Sequence, residues 1–236
     1  MRLWSWSLPP EARRIGSPAH CCRPLQQDEM TCQKVSMRNM SSKKSLTEKI
    51  YQIKVTLRDS KPPIWRRLLV SGNAPLFDLH KIIQVSMGWT NSHLHQFIID
   101  GEYYSIPSEE DWEPVIDERK YRMAEIASTE RSKFIYEYDF GDSWEHEIVI
   151  EKILPIDPQT EYPYCMKGKR ACPPEDVGGV WGFEEFLEAM KDPKHEEHES
   201  FIEWWGGQYD PEVIDLEGIN QVLQEIDQIE WWWEDL

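Results

Sequence analysis

Two histidines set two residues apart, His93 and His95, raise the question of metal chemistry. On a strand, residues i and i+2 point to one face, and two imidazoles on one face can chelate an ion. His146, Cys165 and Cys172 would add nitrogen and sulfur ligands of the kind zinc prefers. The six residues between Cys165 and Cys172 are more than the two to four of a compact zinc knuckle, so the ligands would have to converge from three segments. The competing expectation is that His93 lines a strand entry, His95 packs beside Trp89, and both cysteines are small buried residues. No cofactor is expected; zinc is the metal this set would suit.

Carboxylates recur around the same segments: Asp139, Asp142, Glu145, Glu175 and Asp176. With histidines they are the raw material of metal-assisted hydrolysis or general acid–base catalysis. They are also what turns and helix starts use, since a short acceptor after Gly141 can hydrogen-bond the main chain and Glu175-Asp176 can cap the approach to Gly178-Gly179. Trp65 and Arg67 share a strand face while Arg66 points the other way, which suits an anionic ligand or an ion pair. The candidate binding residues are therefore Trp65, Arg67, Tyr138, Asp142, Trp144, Glu175 and Asp176. The candidate metal ligands are His93, His95, His146, Cys165 and Cys172.

These residues must be carried by recognisable elements. Residues 49–57 alternate as a half-buried strand, and after Lys61-Pro62-Pro63 a second strand over 64–70 completes a hairpin. Leu76, Leu79, Ile82, Ile83 and Met87 recur at helical spacing between Pro75 and Gly88. Residues 94–100 and 102–105 read as strands meeting at Asp100-Gly101. YEYDFGDSWEH, residues 136–146, is an aromatic strand, a Gly141-Asp142 turn and a second strand running through Lys152. The last third shows three apolar helical stripes, with starts signalled at Asp192-Pro193 and Asp210-Pro211. The order predicts an α+β fold: a β-grasp (ubiquitin-like) mixed sheet with a crossing helix, extended by the aromatic hairpin and covered by C-terminal helices.

PPIWRRLLV (62–70), LHKIIQVSMGW (79–89), SHLHQF (92–97), YEYDFGDSWEH, KRACPPEDVGG (169–179), WGFEEFLEAM (181–190) and GGQYDPEVIDL (206–216) follow one another in order. Together they resemble the plasmid pRiA4b ORF-3-like family over about residues 48–226. The resemblance implies a compact α+β domain met in plasmid and mobile-element settings, with no agreed catalytic residues to carry over. A resolvase label borne by some relatives is not transferred. A serine recombinase needs an activated serine in an arginine-rich, DNA-facing site, and no such grouping is present.

Charge and composition narrow the function classes. Residues 1–44 carry eight Lys/Arg against three Asp/Glu, whereas residues 45–236 carry 18 against 40, a net of −22. An acidic body repels a phosphate backbone, so general nucleic-acid binding is not expected. No apolar run reaches the ~18 to 20 residues of a membrane span, so no membrane partner is expected. Five cysteines, an odd number split between distant regions, fit a reducing cytoplasm. Residues 1–44 lack a sustained period and read as a disordered extension, either a genuine tail or a stretch upstream of a start at Met37 or Met40. Residues 45–229 read as one domain, and residues 230–236 as a Trp-rich acidic tail in which three consecutive tryptophans cannot all face a core. The leading expectation is a cytoplasmic binding or interaction module with an unidentified protein or small-molecule partner. A metal-assisted hydrolase is the alternative, and a DNA-processing accessory role the third.

Overall fold

The structure, a computed structural model, describes residues 49–108 and 114–229. The expectations for residues 1–44 and 230–236 lie outside these. The elements run β1 (Lys49–Leu57), β2 (Trp65–Ser71), α1 (Leu76–Met87), β3 (His95–Ile99), β4 (Glu102–Ser105), β5 (Ile116–Asp117), α2 (Met123–Ile126), β6 (Lys133–Tyr138), β7 (Trp144–Pro155), β8 (Tyr164–Lys169), α3 (Gly179–Lys191), α4 (His198–Trp205) and α5 (Leu216–Gln224). All eight strands form one mixed sheet in the order β5-β4-β3-β6-β7-β1-β2-β8. Among the described residues, only the β4–β5 pair is parallel.

Alternation decides which face of this sheet is buried. Tyr51, Ile53, Val55 and Leu57 of β1 share the core face with Leu68 and Val70 of β2, Ile148 and Ile150 of β7, Tyr136 and Tyr138 of β6, and Phe97 of β3. Residues between them carry the opposite, half-exposed face, where cross-strand polar pairs replace apolar packing. Gln52 and Arg67 both donate to Glu151, Lys133 pairs with Glu147, and Gln96 donates to Glu137.

The aromatic hairpin β6–β7 lies in the middle of the sheet rather than at an edge. It joins the β1–β2 hairpin, through β7, to the β3–β4 hairpin, through β6. Its composition explains the position: Phe134, Tyr136, Tyr138, Trp144, His146, Ile148 and Ile150 are all buried, and only a central pair has the core on one face and partners on both sides. Strand β7 runs to Pro155, beyond the expected Lys152, and its register against β1 shifts between Gln52 and Ile53.

Helix α1 packs its apolar stripe on the core face and stops at Gly88, whose φ of 97° is the left-handed cap conformation. Arg66, fully inside, ties this helix to the sheet. Its Nε donates to the carbonyl of Ser86 at 2.7 Å, and Nη1 donates to the carbonyls of Trp65 and Lys169 at 3.0 and 3.2 Å. Burial lowers its pKa, and the carbonyl end of the α1 dipole favours the positive charge. Helices α3 and α5 contribute Phe183, Phe186 and Leu223 to the same buried cluster, and α4 packs Phe201 and Trp205 against it.

Two expected helix starts are turns instead. Asp192 and Asp210 accept the amides of Lys194 and Glu212, both at 2.9 Å, closing Asx-type turns. Helix α4 begins later at His198, and α5 is capped by Asp215, which accepts the Gly218 amide at 2.8 Å. No helix among the described residues is long and apolar enough to cross a membrane.

Candidate functional site

Three loops meet at one end of the sheet: residues 88–94 between α1 and β3, residues 139–143 between β6 and β7, and residues 170–178 between β8 and α3. Trp89 is the pivot. Its indole stacks on Tyr138 with ring centroids 5.0 Å apart, and Nε1 donates to the carbonyl of Pro173 at 3.0 Å. Glu175 then fastens the loops: Oε1 accepts the Tyr138 hydroxyl at 2.5 Å, and Oε2 accepts the amide and hydroxyl of Thr90 at 3.1 and 2.5 Å. Burial, with the Glu175 carboxylate second, raises the pKa of Tyr138 and keeps it a donor. Its oxygen also accepts the Ser92 amide at 2.9 Å.

The β6–β7 turn is held from both sides. The Asp139 amide donates to the Leu94 carbonyl at 2.9 Å, and its Oδ1 accepts the amides of Gly141 and Asp142 at 2.9 and 3.4 Å. Asp142 Oδ2 accepts the Gly178 amide at 3.1 Å. Gly179, at φ 68°, sits so close that a Cβ there would lie 2.6 Å from the Asp142 carbonyl oxygen. Only glycine allows the start of α3 to press on the turn.

Within this frame, Nε2 of His93 stands 3.1 Å from Asp176 Oδ1 and 3.6 Å from Asp139 Oδ2. The structure thus gathers Tyr138, Asp142, Glu175, Asp176 and His93 from the residues singled out in the sequence. Three exposed apolar side chains border them: Leu94 at 64%, Phe140 at 49% and Trp181 at 83% exposure. Phe140 lies inside the turn, Leu94 bonds to it, and Trp181 follows the glycine pressed against it.

The other expected ligands do not join His93. His93 lies in a bend before β3, which begins only at His95, so the two rings turn to different partners. His95 Nε2 faces both oxygens of the fully buried Glu118 at 2.9 and 3.0 Å, and its ring stacks on His80. His80 in turn contacts the Tyr136 hydroxyl and Asn91 Oδ1, each at 2.8 Å. This second polar cluster is wholly internal. His80 and Glu118 were missed in the sequence, although His80 and Gln84, four residues apart on the buried side of α1, were a signal; Gln84 Nε2 donates to the same Tyr136 hydroxyl at 2.9 Å.

His146 is also core. Its ring lies edge-on to Trp89 at 5.2 Å, and among the described residues neither ring nitrogen has a hydrogen-bond partner. Burial pushes its pKa down to about 4. Cys165 lies on β8, with four strands between it and β3, a span of about 24 Å at ~4.8 Å per strand step. Cys172 sits on the loop after β8, and its carbonyl accepts the Tyr209 hydroxyl at 2.9 Å. Among the described residues, the zinc set of His93, His95, His146, Cys165 and Cys172 therefore does not assemble.

Trp65 and Arg67 occupy the opposite sheet face. Arg67 grips Glu151 with two bonds, Nε to Oε2 at 2.6 Å and Nη2 to Oε1 at 2.8 Å, and its guanidinium lies 5.2 Å over the Trp65 ring. Trp144 is fully buried beneath Trp89, with centroids 5.9 Å apart, and offers no surface to a ligand.

Comparison with known proteins agrees with this architecture and brings no reaction. An uncharacterized protein, y4hQ, of Sinorhizobium fredii (strain NBRC 101917 / NGR234) is 39% identical over 179 residues, covering 75% of this chain and 92% of that protein. The crystal structure of protein of unknown function MM3350 from Methanosarcina mazei Go1 matches with a TM-score of 0.65 and 42% identity, covering 72% of this chain and 97% of that one. The family model described as plasmid pRiA4b ORF-3-like protein matches residues 49–218, so the chain belongs to that family.

Proposed function

We propose that the chain is a cytoplasmic binding module, one domain over residues 45–229, whose recognition site is the three-loop end and whose central ligand is a cationic group. One observation carries the reading. Asp139, Asp142, Glu175 and Asp176 come together there, and among the described residues none of the four forms an ion pair with a lysine or arginine. Four acidic groups with only a histidine beside them, on an already acidic body, attract a cation. Leu94, Phe140 and Trp181 supply apolar contact around it, the pattern of a polar centre with an aromatic border.

The order of β1, β2, α1, β3 and β4 supports a β-grasp-like reading of the first half of the fold. The plasmid setting is taken from the wording of the family description, and the mobile-element setting from the family resemblance.

The test is a titration of the full chain, read by amide and indole NMR signals, with divalent ions and with short peptides matched in apolar content but differing in charge. Divalent ions or lysine-bearing peptides should move signals of residues 90–94, 139–143 and 175–181. Acidic peptides should not. Shifts confined to the Trp65 face, or indifference to charge, would overturn the reading. Metal-assisted hydrolysis is the second reading. It is supported at His93, Asp139 and Asp176 and requires metal-dependent turnover of an ester, amide or phosphoester.

A further inference from the structure

This inference rests on the cationic reading of the loop site and names the cation. Among the described residues, His93, Asp139 and Asp176 are the only group of three or more ligating side chains whose ligand atoms all lie within 4.8 Å of one another. Two ligands bound side by side on a first-row ion at ~2.1 Å are about 3.0 to 3.4 Å apart. The separations of 3.1 and 3.6 Å from His93 Nε2 to Asp176 and Asp139 are already close to that spacing.

The inner ligand atoms lack other uses. His93 Nε2 is buried, makes no aligned hydrogen bond among the described residues, and stands within ion-pair range of the Asp139 and Asp176 carboxylates. Asp139 has a side chain 10% exposed; its Oδ1 is committed to the turn amides, while Oδ2, the atom facing His93, accepts no hydrogen bond among the described residues. A buried imidazole nitrogen and a carboxylate oxygen that face one another at 3.6 Å, beyond hydrogen-bond range, are both free to ligate an ion between them. Asp176, 70% exposed, closes the set from the solvent side.

We propose that His93 Nε2, Asp139 Oδ2 and Asp176 Oδ1 form a divalent metal site selective for a first-row transition ion such as Zn²⁺ or Mn²⁺. An imidazole nitrogen beside two carboxylates suits these ions better than Ca²⁺ or Mg²⁺, which take oxygen ligands. Three protein ligands leave positions open for water or for a donor atom of a partner. Glu175 is outside the set because Tyr138 and Thr90 occupy its oxygens; it anchors the loop that carries Asp176. Asp142 positions the same loop through the Gly178 amide.

The experiment uses the full chain stripped with a chelator and titrated with Mn²⁺ and Co²⁺, read by calorimetry and by Co²⁺ visible absorption. One equivalent should bind with a Kd of about 10 µM or tighter, giving nitrogen- and oxygen-type Co²⁺ bands without sulfur charge transfer. His93→Gln and the exposed Asp176→Asn should each weaken binding at least ~10-fold with unchanged thermal melts. Binding that survives both substitutions, or that carries the sulfur signature of Cys21, Cys22 or Cys32, would overturn the site. So would the lack of saturable binding up to about 1 mM ion. If ions fail while a lysine-bearing peptide still moves the loop signals, the metal inference falls and the cation-binding module stands.

Discussion

His80 and His95 lie face to face inside the protein, with ring centroids 3.4 Å apart and planes 8° from parallel. Two stacked imidazoles cannot both carry charge cheaply. Burial favours the neutral form of His80. Asn91 Oδ1 takes the Nε2–H of His80, so Nδ1 accepts from the Tyr136 hydroxyl, which itself accepts from Gln84. Burial, reinforced by the neighbouring His95, pushes the pKa of His80 well down. Its partner instead gives its Nε2–H to Glu118, a carboxylate with no exposure. The chain thus places a buried acid beneath β3 and gives it one histidine to hold.

Removing that acid should be costly. Glu118→Ala leaves His95 Nε2 buried without its carboxylate, a loss of about 3 kcal/mol on the scale of broken internal pairs. Urea denaturation checks this. A variant within ~0.5 kcal/mol of the parent would mean that the cluster contributes little to holding α1 against β3 and β6.

Stability should fall as pH drops from neutrality. Burial depresses the folded pKa of His146 to about 4 from its ordinary 6.5, so the unfolded chain takes up the proton first. The associated stability is complete above pH 6.5 and lost as pH falls through the folded value. The loss is about 2 kcal/mol by pH 5 and about 3 kcal/mol by pH 4. His80 is depressed in the same direction. The lowered carboxylates Glu151 and Asp117 act only below their own ordinary range. His146→Phe should flatten the slope between pH 6.5 and 5 in denaturant melts, and a slope equal to the parent's would sink the assignment.

Much of the frame was legible because period and punctuation agreed. Alternation gave β1, the stripe ending at Gly88 gave α1, and the aromatic hairpin was read directly from residues 136–146. Strand β8 was not, because YCMKGK has one buried residue, Cys165, and owes its strand form to pairing with β2. Asp192-Pro193 and Asp210-Pro211 carried helix-start chemistry that short turns use equally well. At the site, Tyr138, Asp142, Glu175 and Asp176 were grouped by their neighbourhood to the hairpin. Glu118 carries no such signal, because its partner His95 lies 23 residues upstream in β3. His93 and His95 do not share a strand face because β3 begins at His95, two residues after His93.

The acidic body should not bind duplex DNA at physiological salt. With a net charge of −22 over residues 45–236, few basic groups are available to release counterions from phosphates. A mobility-shift experiment with random duplex and residues 45–236 should show no complex. Submicromolar binding with a steep salt slope would move the DNA-processing reading to first place.

Two tryptophans near the candidate site should separate stability from recognition. Trp144 is fully buried against Trp89, whereas Trp181 is 83% exposed beside the loops. Trp144→Ala empties a large volume next to Trp89 and should cost roughly 3 to 5 kcal/mol. Trp181→Ala removes no core packing and should stay within about 0.5 kcal/mol of the parent. If Trp181 belongs to the recognition border, its loss should weaken binding of a lysine-bearing apolar peptide about 10-fold while leaving the denaturation midpoint in place. Equal affinity in the parent and Trp181→Ala would remove this tryptophan from the site. A near-parent midpoint in Trp144→Ala would show that the indole beneath Trp89 contributes little to the core.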